Sequence, residues 1–416
     1  MNVVETAADG SFTLPGHERE RFIFITTPSG YKTFNRHYHK IEKKQSGYDF
    51  GLIPYSGRIR KNGSHRYIHI ADTEIFNTEN HADWVNNVRD YARNEQAAFI
   101  IHTGDICYEK GLKAHIKLMN TENMDCPVFY CIGNHDLVKG KYGEELFESI
   151  YGPVYYSFDA GNVHYVVTPM PGGDHAPGYT SDDVCRWLKN DLAHIRPGTP
   201  VVVFNHDLLT YEDTFIFKSK NAGSINLNEY NLKAWVYGHW HINYMKKQGD
   251  VYSVCTSSLD KGGIDHSTTA FRVMHVDSKG DFTSELRYTY LDKNICIASP
   301  AGVMASGVLP VAVNVYSSVS PVREVLYTCL ADGKPVLKNK RLLQSTDWSW
   351  NGELPLSHKY VGKELTLRVT ARFNNGEIAE AESHLSAGLK RPFLCFLLTG
   401  IICQAMRNIP PPFPLH

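Results

Sequence analysis

A chain of 416 residues is too long for one compact core, and chains of this size divide into two or three domains. Its 42% apolar and 21% charged residues are ordinary for a globular protein, and a net charge of -1 gives no electrostatic ground for wholesale nucleic-acid binding or for adhesion to an anionic membrane. Any anionic substrate must therefore be held by a local site. Nine cysteines, scattered apart from Cys126 and Cys131, indicate neither a disulfide scaffold nor a zinc knuckle, and predict free, mostly buried thiols.

The opening residues carry an acid early and no apolar core of signal-peptide length, so no export signal is read in the sequence as given. Asp9-Gly10 is a turn signal, with strand candidates at 11–14 and 22–25 and a breaker at Thr27-Pro28-Ser29-Gly30. We expect a partial β domain over residues 1–55. So few strands make no independent sandwich, so this piece either leans on the next domain or continues upstream, and a strand pattern already running at residue 3 favours the second.

Residues 56–298 alternate short apolar strands with helical stretches. Strands are predicted at 67–71, 98–102, 128–132, 201–204 and 233–237. Helical spacing joins Trp84, Val88, Tyr91 and Ala92, and again Val184, Trp187, Leu188 and Leu192. The texture then changes. Over 299–386 a β-sandwich is expected, with a strand at 309–316 and an alternating one at 364–373 that ends in the hairpin turn Asn375-Gly376; Trp348 and Trp350 are candidate core plugs. Residues 387–416 read as an irregular tail. Its uncharged run of 14 residues, 393–406, falls short of the ~20 needed to span a bilayer.

Each of the five strands in 56–298 delivers metal-binding or acid/base side chains at its carboxyl end, the edge where open α/β sheets bind ligands. In order the ends read Asp72-x-Glu74, Gly104-Asp105-x-x-Tyr108, Gly133-Asn134-His135-Asp136, Val203-x-x-His206 and Gly238-His239-x-His241. On an extended segment His239 and His241 share a side, while Gly238 lets the backbone turn sharply beneath them.

These five blocks, in this order, resemble the calcineurin-like metallophosphoesterase superfamily. The resemblance implies an α/β fold, a core of two mixed β-sheets flanked by helices, with accessory all-β domains as in bacterial members. It implies two metal ions and hydrolysis of phosphate esters by a metal-bridging hydroxide, phosphomonoesters being favoured. Ions about 3.5–4 Å apart neutralise phosphoryl oxygens and lower the pKa of water. The resemblance assigns the bridge to Asp105, Asp72 and His241 to the first metal, and Asn134, His206 and His239 to the second. His135 becomes the group that stabilises the transition state or protonates the leaving oxygen, with Asp136 orienting its imidazole.

The first block departs from the superfamily, which mostly has D-x-H where this chain has Asp72-Thr73-Glu74. Two repairs are available: Glu74 binds through its carboxylate, or Tyr108 binds through a phenolate, as in purple acid phosphatases. A phenolate would favour a trivalent ion. The metals stay open among Fe, Zn, Mn and Mg. A phosphodiesterase or nucleotide hydrolase is the alternative within the enzyme class, and a non-catalytic surface-binding module with a degenerate phosphatase core is the alternative outside it. The implied partner is a phosphorylated small molecule or phosphoprotein substrate, with no nucleic acid and no transmembrane helix. Resemblance to exported bacterial proteins implies a periplasmic or extracellular setting if the natural N-terminus lies upstream.

The remaining polar residues have plainer readings. Glu74 also suits the first turn of a helix. His69, His102 and His164 lie inside strands and read as core histidines, His175 and His266 as loop residues, and Cys107 as packing beside Asp105. Two loops are expected to shape the pocket: 168–179, with His175 and Tyr179, and 208–224, with Tyr211, Lys218 and Lys220.

Overall fold

The computed structural model describes residues 2–388, apart from 17, 18, 44, 46, 139, 292 and 306. The uncharged run at 393–406, Cys395, Cys403 and all of the expected tail past Gly388 lie outside the described residues. Two compact units form: residues 1–294 with 315–323 and 372–378, and residues 295–314 with 324–371 and 379 onward.

The first unit is built from strands β1 (His65–Ile70), β2 (Phe99–His102), β3 (Val128–Tyr130), β4 (Tyr156–Ala160), β5 (Val163–Val167), β6 (Val201–Phe204), β7 (Leu232–Tyr237), β8 (Tyr244–Gln248), β9 (Val251–Cys255), β10 (Ala270–Val276) and β11 (Phe282–Tyr288). One sheet has the order β11-β10-β1-β2-β3, with β1, β2 and β3 parallel and the β10 side antiparallel. The other has the order β8-β9-β7-β6-β5-β4; β5, β6, β7 and β9 run parallel and both edges are antiparallel. Helices α1 (Ala82–Asn94), α2 (Tyr108–Leu118) and α3 (Ser181–Ala193) accompany them.

Period-two alternation explains the layering. Tyr67, Phe99 and Ile101 of one sheet meet Phe158, Tyr165, Val202, Phe204 and Val236 of the other in one buried cluster, with Tyr67 and Phe99 stacked at 4.7 Å. The opposite faces are covered too: Ile68, Ile70 and Ile100 by Trp84, Val88, Tyr91 and Ala92 of α1, and Val201 and Val203 by Cys185, Trp187, Leu188 and Leu192 of α3. Strands buried on both faces read as continuous apolar runs, which is why the sequence shows no alternation there.

Residues 11–14 form no strand, contrary to expectation, whereas Phe22–Phe24 pairs antiparallel with Tyr38–Lys40. This N-terminal piece is part of the first unit. The Asp159 N–H donates to the Thr27 carbonyl at 2.8 Å, and Arg21 pairs with Glu144 at 2.5 Å and with Glu148 at 2.8 Å.

The second unit is all β. One sheet orders Lys293–Ser299, Gly307–Ser317, Ser349–Leu356 and Leu343–Gln344; the other orders Gly302–Ala305, Ile378–Gly388, Glu364–Phe373, Val322–Ala331 and Lys334–Arg341. Leu365, Leu367, Val369, Ala371 and Phe373 are buried on one face, and Gly376, at φ +90°, makes the turn that follows. The Tyr327 hydroxyl donates to the Glu353 carbonyl, linking the sheets. Of the two tryptophans, only Trp350 is a core residue, 4% exposed; Trp348, at 46%, precedes the first strand residue and escapes its in/out alternation. No helix among the described residues is long and apolar enough to cross a membrane.

Candidate metal centre

Five strand ends converge, and backbone bonds between the segments that follow them hold the convergence. The Asp72 N–H donates to the Gly104 carbonyl at 3.0 Å, the Glu74 N–H to the Asp105 carbonyl at 3.3 Å, and the Gly238 N–H to the His206 carbonyl at 3.0 Å. The contacts are close enough to require glycine. A Cβ at Gly133 would meet Asp105 Oδ1 at 2.2 Å, and one at Gly238 would meet Asp72 Oδ2 at 2.6 Å.

Backbone strain is concentrated in the same place. Asp72, Glu74, Asp105, Cys107, Tyr108, His239 and His241 all have φ between +45° and +71°, seven of the fourteen such non-glycine residues described. Each costs on the order of 1–3 kcal/mol and persists only where its surroundings over-determine it, a pattern typical of functional sites. The sequence signals none of this except through its glycines.

On the His206 side the geometry is tight and buried. His206 donates Nδ1–H to the Thr103 carbonyl at 2.7 Å, which turns Nε2 toward Asp105 Oδ2 and Asn134 Oδ1, each at 3.1 Å. With its Nε2 proton displaced, the nitrogen and the two oxygens would be three lone-pair-bearing atoms facing one another, a donor set that suits a cation, with the other ring nitrogen fixed on a backbone carbonyl as in metal-ligating histidines. Burial opposes charge on His206, yet Asp105 beside it pushes the imidazole pKa up to about 9. Burial likewise opposes ionisation of Asp105, but His206 holds its carboxyl below the usual range. His239 joins this group, its ring 4.9 Å from that of His206, and ligand atoms of Asp105, His206 and His239 all lie within 4.8 Å of one another.

Across Asp105 lies a second group. Ligand atoms of Glu74, Asp105 and Cys107 also lie within 4.8 Å of one another, so one carboxylate is common to both. Asp72 accepts the His239 N–H on both oxygens at 3.1 Å, and His241 Nε2 stands 3.5 Å from Asp72 Oδ1 and 3.5 Å from Glu74 Oε1. The bond to Asp72 raises the pKa of His241, while burial raises that of Asp72. Glu74 is paired with Lys261 and lies well before α1, so it is no helix-terminal acid. Tyr108 is 43% exposed, its ring 6.4 Å from Phe76 and 5.4 Å from His135.

The expectation that Asp136 orients His135 is corrected. Asp136 is buried and spends its oxygens on backbone, accepting from the Cys107 N–H at 2.8 Å and the Gly133 N–H at 2.9 Å. Among the described residues Asp136 makes no hydrogen bond to the His135 ring. The ring Nδ1 instead meets Asp174 Oδ2 at 2.9 Å. Burial lowers the pKa of His135, but Asp174 and Asp105 more than offset this and raise it. Asp174 belongs to the loop singled out for its length, and its N–H donates to the Asn134 carbonyl at 3.0 Å. No sequence rule places a loop carboxylate on a particular ring, so Asp174 was missed, as was Lys261.

The expected pocket residues divide. Tyr211, 74% exposed, stacks on Trp240 at 5.8 Å and lines an open groove of about 510 Å³ with Asp207, Leu208, His239, Ile242 and Ile264. Tyr179 does not line it; it is buried, and its hydroxyl donates to the Met170 carbonyl, anchoring its own loop. His175 is exposed and packs beside Gly143, and Lys218 and Lys220 are exposed on the 208–224 segment. His69, His102 and His164 are buried and bonded to Thr103 and Thr256, to Thr73, and to Asp159 and Asp191 respectively.

Residues 65–243 match the family model of the calcineurin-like phosphoesterases. That match, with the two mixed sheets and the strand-end site, supports the superfamily for this segment, a calcineurin-like phosphoesterase domain. It is 26% identical over 215 residues to purple acid phosphatase 13 of Arabidopsis thaliana, a match that takes in 48% of this chain. The chain spans only 36% of that relative's length. Among solved structures it is similar to an archaeal phosphodiesterase, at 13% identity and TM-score 0.28 over 53% of this chain and 99% of the other. It is also similar to a zinc complex of Vps29 from Entamoeba histolytica, at 10% identity and TM-score 0.27 over 53% and 97%.

Proposed function

We propose that the protein is a binuclear metal-dependent phosphoesterase that hydrolyses phosphate esters, preferring monoesters, on small molecules or phosphoproteins. The observation that supports this most is that Asp105 is shared by two convergent ligand groups, a bridging position. Asn134, His206 and His239 would complete one ion's shell, with Asp72, His241 and Glu74 serving the other. When bound, the ions supply positive charge at the phosphoryl oxygens and lower the pKa of water.

The chain's own residues do the rest. His206 is held in one tautomer by Thr103, and Asp72 fixes the turn at His239 through its N–H. His135, partly exposed at the mouth of the site, carries the proton that the leaving oxygen requires, and Asp174 at Nδ1 keeps that ring oriented and protonated. We further propose that this chemistry is confined to residues 56–298, with 1–55 and 299–386 as accessory β regions.

A second reading, diester hydrolysis, draws on the groove beside His239, which leaves room for another ester arm. Metal-replete protein assayed on p-nitrophenyl phosphate and on its bis ester separates the two. Faster monoester turnover, abolished by a chelator and restored by metal, is expected. Faster diester turnover would reverse the preference, and absence of both activities from protein with two bound metals would contradict the enzyme assignment.

A further inference from the structure

The loop 168–179, which carries Asp174 to His135, runs irregularly from the end of β5 to the start of α3 and is tied down along its length. At the near end the Asn205 side-chain amide donates to the Thr168 and Pro169 carbonyls, at 3.2 Å each. In the middle the Asp174 N–H reaches the Asn134 carbonyl at 3.0 Å, an approach so close that a Cβ at Gly173 would meet that oxygen at 2.3 Å. At the far end the Gly178 N–H donates to both oxygens of Glu144, at 3.0 and 2.9 Å.

Glu144 is fully buried, and a carboxylate in that position keeps its charge only beside a cation. The cation comes from outside residues 65–243. Arg21, next to the strand Phe22–Phe24 of the N-terminal piece, donates to Glu144 and to Glu148, and its guanidinium lies over the Tyr142 ring at 5.6 Å. Arg19 adds a second hold, donating to the Gly178 carbonyl at 3.2 Å and to Asp183 of α3 at 2.9 Å. The N–H and the carbonyl of one glycine are thus tied, through Glu144 or directly, to two arginines of the same short segment.

We propose that Arg21 and Arg19 are positioning residues, through which the N-terminal piece holds the loop that sets Asp174 against His135. This rests on the acid role given to His135 above and adds the segment that keeps its partner in place. Loss of Arg21 leaves Glu144 and Glu148 buried side by side without their cation. One of them must take up a proton or turn outward, and the Gly178 N–H then loses its charged acceptor. Released at that end, the loop holds Asp174 on His135 for a smaller fraction of the time.

Arg21→Met in the metal-loaded full chain tests it, with Arg21→Lys and His135→Ala alongside. Hydrogen exchange of the loop amides, Asp174 and Gly178 included, should quicken roughly tenfold in Arg21→Met. Its kcat on phenyl phosphate should fall roughly 10-fold, a fraction of the roughly 10²–10⁴ that a positioned acid supplies, while KM and turnover of p-nitrophenyl phosphate move by less than about twofold. Arg21→Lys should recover most of both changes. If Arg21→Met does not fold, Arg19→Met, whose side chain is 54% exposed, should show the same two changes to a smaller degree. Unchanged loop exchange, or an equal loss on both esters where His135→Ala is selective, would overturn the proposal and leave the acid role standing. Equal losses on both esters in His135→Ala would overturn the acid role, and loop exchange, which needs no turnover, then still decides whether the arginines hold the loop.

Discussion

The two sides of Asp105 are built differently. On the side of Asn134, His206 and His239, the key ring is fully buried and tied to a backbone carbonyl, so its orientation is set by the fold. On the side of Asp72, Glu74 and His241, Asp72 is held by the His239 N–H, but Glu74 leans on the exposed Lys261 and His241 stands 3.5 Å from both carboxylates. The first arrangement is pre-organised; the second would be free to adapt to an ion bound there as proposed. A rigid half and an adjustable half suit a centre in which one ion stays while the other's identity sets reactivity.

The largest effect should come from the residue both halves share. Asp105→Asn keeps the shape and removes the bridging charge, and turnover should fall roughly a thousandfold, about 4 kcal/mol of barrier, with little change in thermal midpoint. A full-rate variant would refute the shared-carboxylate account. Next is Asp136→Ala, which strands two buried N–H donors at ~1–3 kcal/mol each and should cost on the order of 2–6 kcal/mol of stability in urea unfolding. If it instead reduced activity at unchanged stability, Asp136 would regain the orienting role.

Asp174→Asn should lower kcat/KM roughly 10–100-fold, in keeping with loss of an orienting partner. The sign of its pH effect is fixed. In the proposed acid role His135 works only while protonated, so activity should be present below its pKa and lost as pH rises through it. Asp174 raises that pKa, hence the variant's alkaline limb should move to lower pH. His135→Ala should slow esters with poor leaving groups most; an equal loss on all esters would count against the acid role. The smallest effect is expected from Lys261→Met, since a half-exposed ion pair is worth about 0.2–1 kcal/mol. It should change stability little while tightening ion binding at the adjustable half a few-fold by calorimetry.

The same contrast explains what could be read from the chain. The layers were legible because strands buried on both faces and helices with one apolar stripe leave strong periodic signals, and the strand-end blocks were legible because their spacing follows from those strands. Asp174, Lys261 and the backbone strain were not. Asp174 lies 39 residues from His135 and Lys261 187 from Glu74, brought together by loops whose paths depend on tertiary contacts. Trp348 and Trp350 show the limit within a strand: alternation assigns faces only once its first residue is known.

The central claim is that one carboxylate joins two metal positions. Low-temperature EPR of the manganese(II)-loaded protein tests it most directly. Two manganese ions bridged by Asp105 should give an exchange-coupled signal that collapses to uncoupled manganese in Asp105→Asn, whereas uncoupled manganese in the native protein at full loading would contradict the account.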